Sequence, residues 1–222
     1  MLDIFDILGP VMVGPSSSHT AGAVRIGNMA RTLLGGEPRT ARIQLHGSFA
    51  ETGRGHGTDR ALIAGLLGMK PDDLEIPNSF VLAAERGLDF SFEPVSLREA
   101  HPNTAVLDVE DGEGHTLKMQ AASIGGGRIR VDRLNDVDVQ FTGAYNTLII
   151  RSLDISGELA DVTRELSRRK INIANMSLCR SKRGGAVLMV IETDQAVPPV
   201  VRTLIAELPG VARLTYYEKE AE

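Results

Sequence analysis

NTLIIRSLDISGELADVTRELSRRKINIANMSLCRSKRGGAVLMVIET, residues 146–193, decides the fold of half the chain, because its pattern changes character at each turn signal. NTLIIRSLD is dense in β-branched and apolar residues and reads as a strand, GELADVTRELSRRK as a helix, and INIANMSLCR as a second strand. Lys182, Arg183, Gly184 and Gly185 form a turn, and AVLMVIET is a third strand. Downstream, PPVVRTLIAEL gives a helix and VARLTYYE a last strand, which completes βαββαβ, the split-βαβ ferredoxin-like arrangement. Ser156 and Gly157 stand where the first helix needs a cap, and Pro198 and Pro199 stand where a helix start tolerates proline.

Upstream the pattern is mixed. A short amphipathic helix is expected near residues 2–8, ahead of the Gly14-Pro15 turn. Ala23, Ile26, Ala30, Leu33 and Leu34 recur at helical spacing until Gly35-Gly36. TARIQLHGS alternates like a strand, a glycine-rich connection spans 53–57, and DRALIAGLL is a helix closed by Gly68. A further helix is expected over 78–86, stopped by Gly87. From there to residue 143 the sequence reads as strands and turns: LDFSFEP, TAVLDVED, HTLKMQAAS, a break at Gly125-Gly126-Gly127, RIRVDRL and VDVQF. The fold class is α+β, with an α+β domain over 1–145 and the ferredoxin-like domain over 146–222.

Composition narrows the functions. In 222 residues, 42% apolar, two small domains can each bury a core. A formal charge of -5 leaves no basic footprint for nucleic acid. The start MLDIFDILGPVMVG carries Asp3 and Asp6 without a positive leader, and no apolar run is long enough for a bilayer, so a cytoplasmic protein is expected. The single cysteine, Cys179, can form no internal disulfide, and alone it can hold neither zinc nor an iron-sulfur cluster.

Three polar stretches carry chemistry. GPSSSHT, 14–20, gathers Ser16, Ser17, Ser18, His19 and Thr20 ahead of a helix; Ser17 or Ser18 can cap it, and free N–H groups there welcome a carboxylate or phosphate. Alternatively one serine caps and the others are solvated loop. HGSFAETGRGHGTD, 46–59, offers His46, Ser48, Thr52, His56, Thr58 and Asp59 among four glycines, either as a ligand loop or as a flexible loop in which Thr58 or Asp59 caps the next helix. HPNT presents His101 and Asn103 on a rigid turn, and SIGGG, 123–127, is a ligand-approach loop or a strand bend. A Ser-His nucleophile pair is weakly supported, because neighbours in a loop seldom reach each other and no nucleophile elbow is present. Four of the five histidines, His19, His46, His56 and His101, fall in these loops, which favours a ligand site.

Together GPSSSHTAGAVRIG, LHGSFAETGRGHGTD, HPNT, SIGGG and the βαββαβ unit resemble, over essentially the whole chain, the β subunit of bacterial iron-sulfur-dependent L-serine dehydratase. The resemblance implies an allosteric-substrate-binding-like first domain, a C-terminal ACT domain, and conversion of L-serine to pyruvate and ammonia without pyridoxal phosphate. It implies a [4Fe-4S] cluster acting as Lewis acid on the serine hydroxyl while a base removes the α proton. With one cysteine here, the cluster falls to a partner α subunit and this chain carries no metal. By resemblance Ser16, Ser17, Ser18, His19 and Thr20 hold the substrate, with His46, Ser48, Thr58, Asp59 and Asn103 as further candidates. His19, His56 and His101 are the candidate bases, none singled out.

In the ACT domain the resemblance points to Asp154, Gly157, Asn172 and Asn175 as a regulatory amino-acid site at a homodimer interface; the alternative is a domain that only dimerises. Two rivals remain: a free-standing regulatory serine sensor, and a scaffold subunit. A dehydrogenase is disfavoured because no strand runs into a G-x-G-x-x-G turn.

Overall fold

The computed structural model describes residues 12–180 and 182–219. The helix expected near residues 2–8 lies outside the described residues. Two compact units divide between Asp136 and Val137.

In the first unit, helices α1 (Gly22–Leu34), α2 (Ser48–His56), α3 (Thr58–Leu66) and α4 (Ser79–Arg86) accompany strands β1 (Pro38–His46), β2 (Asp89–Val95), β3 (Thr104–Asp111), β4 (Thr116–Gly125) and β5 (Arg128–Leu134). The strands run in the order β2-β1-β3-β4-β5. β1 is parallel to β2 and antiparallel to β3, and the β3, β4 and β5 neighbours are antiparallel. The alternation of β1 buries Ala41, Ile43 and Leu45, and the α1 stripe Ala23, Ile26, Ala30, Leu33 and Leu34 is buried as its spacing requires.

α1 and α3 meet backbone to backbone. A Cβ on Gly27 would lie 2.3 Å from the Leu62 carbonyl oxygen, and one on Gly65 would lie 2.1 Å from that of Val24. Only glycine permits this approach, and it brings the start of α1 close to the helices that follow β1.

Of the stretch 53–57, expected as an irregular connection, residues 53–56 are instead the end of α2. Gly53 and Gly55 each cost a helix about 1 kcal/mol relative to alanine. Burial offsets that cost: Phe49 in the first turn is fully enclosed. The break narrows to Gly57, whose left-handed backbone (φ 71°) separates α2 from α3. Thr58 makes no side-chain cap there, while Asp59 Oδ1 accepts the Arg60 N–H at 2.8 Å.

The second unit opens with β6 (Val137–Phe141) and continues β7 (Asn146–Leu153), α5 (Glu158–Ser167), β8 (Ile173–Arg180), β9 (Ala186–Thr193), α6 (Pro199–Ala206) and β10 (Val211–Tyr217). Its sheet, in the order β10-β7-β9-β8, is antiparallel throughout, so the βαββαβ reading holds. The core beneath the helices is aliphatic, with Leu148, Ile150, Val162, Leu166, Met189 and Ile205 at its centre. α5 is capped at Gly157 (φ 95°) without a side-chain bond, so Ser156 does not act as the cap. Proline serves at the start of α6 as expected.

Candidate active site

The GPSSSHT stretch folds as a π-helical turn, Ser17–Ala21, running into α1: the Gly22 N–H reaches back to the Ser17 carbonyl. Such wide turns cluster at functional sites. Because the turn begins at Ser17, the cap is Ser16, one residue earlier than expected; its Oγ accepts the His19 N–H at 3.3 Å. Ser17 and Ser18 are half-buried in the turn, while His19 and Thr20 are buried.

His19 is where separate segments converge. Its Nδ1 lies 3.3 Å from Ser16 Oγ, and its Nε2 lies 3.1 Å from Ser48 Oγ and 3.1 Å from Thr52 Oγ1. The rings of Phe49 and His56 meet it edge-on, with centroids 5.3 and 4.8 Å away. α2 makes this possible, since Ser48, Thr52 and His56 follow one another at i, i+4 and i+8 and so share one helix face. Burial, and then the neighbouring His56, push the His19 pKa below the usual imidazole value, with the contact at Ser48 opposing them. A neutral imidazole gripped at both nitrogens suits proton transfer or hydrogen bonding to a substrate.

The HPNT turn supports α2 from the other side. The Pro102 carbonyl accepts the Phe49 N–H at 3.5 Å, and the Asn103 carbonyl accepts the Ser123 N–H at 2.9 Å. His101 Nδ1 is occupied within the turn, accepting the Asn103 N–H at 3.1 Å. Ser123, first residue of SIGGG, is buried against Gly22, where a Cβ would lie 2.1 Å from its Oγ. The hydroxyls of Thr20, Thr58 and Ser123 are buried without a hydrogen-bond partner. An unpaired buried hydroxyl is costly, and at a site it is a place for a ligand or water to bind.

The remaining candidates stand apart. His46 Nδ1 accepts the Leu97 N–H at 3.2 Å and fastens the chain after β2 to the end of β1. Asp59 is engaged at the start of α3, and the fifth histidine, His115, pairs with Asp111 in the β3–β4 hairpin at 2.9 Å. Thr52, offered by the 46–59 stretch but not carried into the substrate-binding set, and Phe49, which was no candidate, complete the cluster. The signal for Thr52 was the spacing of Ser48, Thr52 and His56, hidden by reading the glycines as loop.

In the second unit, Asp154 and Gly157 line a cleft of 480 Å³ with apolar walls that include Ile155, Leu159, Met176 and Leu178. Asp154 Oδ2 accepts from the Gly184 N–H at 2.9 Å and from Arg180 at 3.1 Å, and these bonds, the Gly184 one foremost, hold its carboxyl below the usual range. Asn172 and Asn175 are engaged elsewhere, donating to Asp194 and Glu192, and do not line the cleft. The donor set does not fit an iron-sulfur cluster. The sole cysteine, Cys179, donates to the Asp138 carbonyl, and among the described residues no three His, Cys, Asp or Glu side chains are placed to hold a metal ion. Among the described residues no helix is long and apolar enough to cross a membrane.

An α+β unit with a histidine-centred cluster at a helix start, followed by a ferredoxin-like unit, defines a two-part protein of the ACT-bearing class, and residues 146–210 match the ACT domain family. Residues 1–87 match the serine dehydratase beta chain family. Over 212 residues the chain is 40% identical to the probable L-serine dehydratase beta chain of Bacillus subtilis, covering 96% of both. It is 37% identical to the L-serine dehydratase beta chain of Peptoniphilus asaccharolyticus, covering 95% of this chain and 94% of that one. A third relative, the L-serine dehydratase of Mycobacterium bovis, is 26% identical; the match takes in 96% of this chain but 51% of that protein. The chain belongs to the L-serine dehydratase beta-chain family.

Proposed function

We propose that this chain is one subunit of a two-chain L-serine ammonia-lyase, which converts L-serine to pyruvate and ammonia, and that it supplies substrate-binding groups to a site completed by an α subunit. The observation that carries this reading is the convergence of His19 on Ser48 and Thr52 from separate segments, at 3.1 Å each. Ser16, Ser17, Ser18, His19 and Thr20 surround the substrate carboxylate and its neighbouring groups at the start of the π turn and α1. Free N–H groups and the helix dipole favour an anion there. Thr58 and Ser48 belong to the same pocket.

The α-proton base comes from the imidazoles of this unit. His56 and His19 are the candidates in edge contact, whereas His101 Nδ1 is already committed within its own turn. The [4Fe-4S] cluster belongs to the α subunit, because this chain has one cysteine and a cluster takes several thiolates. The place of action is the cytoplasm.

The ACT unit pairs with a second copy of itself. Support comes from the apolar side chains it leaves in solvent, Leu153, Ile155, Met176 and Leu178, with Met176 and Leu178 on the edge strand β8. The cleft beside Asp154 and Gly157 is the regulatory amino-acid site.

The test is anaerobic pyruvate formation from L-serine by this chain co-expressed with a cysteine-rich α subunit, and by each alone. Activity arises only in the mixture. It falls roughly 100-fold or more in His19→Ala, the scale of a lost acid-base group, while the complex still assembles. Ser17→Ala tests the carboxylate-binding part in the same assay. An assembled, iron-loaded complex without activity would instead favour a regulatory serine-binding protein.

A further inference from the structure

The hydrogen bonds around His19 can run in two directions. Ser16 and Ser48 carry hydroxyls, which donate or accept, and a neutral imidazole exists in two tautomers. In one arrangement Ser16 Oγ–H donates to His19 Nδ1, and Nε2–H donates toward Ser48. In the other, Ser48 Oγ–H donates to Nε2 and Nδ1–H donates to Ser16. The distances, 3.3 Å on one side and 3.1 Å on the other, accommodate both. The His19 N–H on Ser16 Oγ does not decide between them, because that oxygen has two lone pairs.

Thr52 breaks the symmetry. Its hydroxyl proton is committed to the Ser48 carbonyl one helical turn back, at 2.8 Å. Toward His19 Nε2, 3.1 Å away, its oxygen can only accept. An unprotonated Nε2 would set lone pair against lone pair. We propose that Thr52 is a positioning residue that fixes His19 as the Nε2-protonated neutral imidazole and so sets the direction of the whole Ser16–His19–Ser48 chain.

Two consequences follow for the site, and they rest on the proposed function. Ser16 spends its proton on Nδ1. Ser48, accepting from Nε2, keeps its own O–H free to donate to a bound carboxylate or hydroxyl. Threonine serves this role because the i to i−4 back-bond inside α2 disposes of its proton without a further partner. Serine can do the same, whereas valine keeps the shape and loses the oxygen.

The experiment reads the tautomer directly, on the full chain with nitrogen-labelled histidine at about pH 8, where the ring is neutral. His19 is assigned by comparison with His19→Gln. In the wild type its Nε2 resonance has the protonated shift and its Nδ1 the unprotonated one. In Thr52→Val the two resonances move toward each other as the tautomers exchange, and Thr52→Ser restores the wild-type pair. Should Thr52→Val disturb the fold, seen as loss of amide dispersion, Thr52→Ala removes the same oxygen with less bulk. A wild-type ring protonated on Nδ1, or a wild-type pattern retained in the valine and alanine variants, overturns the proposal. The measurement needs neither substrate nor the α subunit. Loss of the proposed function would therefore leave the tautomer result standing, and a failed tautomer result would leave pyruvate formation to be judged separately.

Discussion

The two units use their polar groups differently. All five histidines lie in the first unit, and the second contains none. Around His19, one imidazole and several hydroxyls are drawn into the helix-packed interior while His56 stays exposed beside them, and the hydroxyls of Thr20, Thr58 and Ser123 remain unpaired there. The second unit has an aliphatic core under its helices; on the opposite sheet face the buried Glu192 carboxylate is held by Asn175 Nδ2 at 3.0 Å and the Thr142 N–H at 3.3 Å, and the buried polar atoms left without a partner, Ser152 Oγ, Glu158 Oε1 and Arg202 Nε, include no imidazole. The imidazoles are thus confined to the first unit, while the second presents a cleft and an edge strand with exposed apolar side chains.

That contrast is open to attack, most forcefully at the α1–α3 crossing. Gly65→Val drives a side chain into the Val24 carbonyl and is expected to cost about 3 kcal/mol, the upper end for overpacking. Hydrogen exchange would show first-unit core amides accelerating while those of the second unit keep their rates; acceleration in both would mean the units do not unfold separately. Leu166→Ala is the mirror experiment, removing a fully buried side chain from the aliphatic core at a cost of about 3 kcal/mol, with the protection loss confined to the second unit.

A smaller effect separates the units by pH. Because His19 is held below its usual pKa, the unfolded chain binds a proton there more readily than the folded one. His19 thus contributes stability that is present above about pH 6.5, the unfolded value, and is lost as pH falls toward the lowered folded value. The stability gap between wild type and His19→Gln should narrow on acidification through that window. A gap that widened would reverse the assigned direction. The least change is expected at the surface of α5, where Glu165 accepts from Arg168 and Arg169 at 2.7 and 2.9 Å. Arg169→Ala should move the denaturation midpoint by no more than about 0.5 kcal/mol.

The helices and strands from Asn146 onward were legible because each carries its own period, and Gly184 and Pro199 punctuate them where the chain turns. The strands of the first unit were legible for the same reason. What escaped was α2. Gly53, Gly55 and Gly57 look like loop, and only Phe49 in an enclosed pocket makes helix the better choice, which local sequence does not reveal. With α2 unread, Thr52 could not be placed on the face of Ser48 and His56, nor could the cap be put at Ser16, since π geometry has no compositional mark. Convergence of HPNT and SIGGG on α2 and α1 depends on strand register, which only the folded chain supplies.

The π turn also makes the site sensitive to residue number more than to residue identity. One extra residue between Ser17 and Gly22 shifts the phase of everything before it by roughly 100° relative to an unbroken α-helix. A chain one residue shorter here could keep the serines, the imidazole and an intact α1, yet aim that imidazole away from Ser48 and Thr52. For this turn, then, insertions and deletions are the damaging changes, and two sequences that match almost letter for letter could differ by one gap and by the whole site.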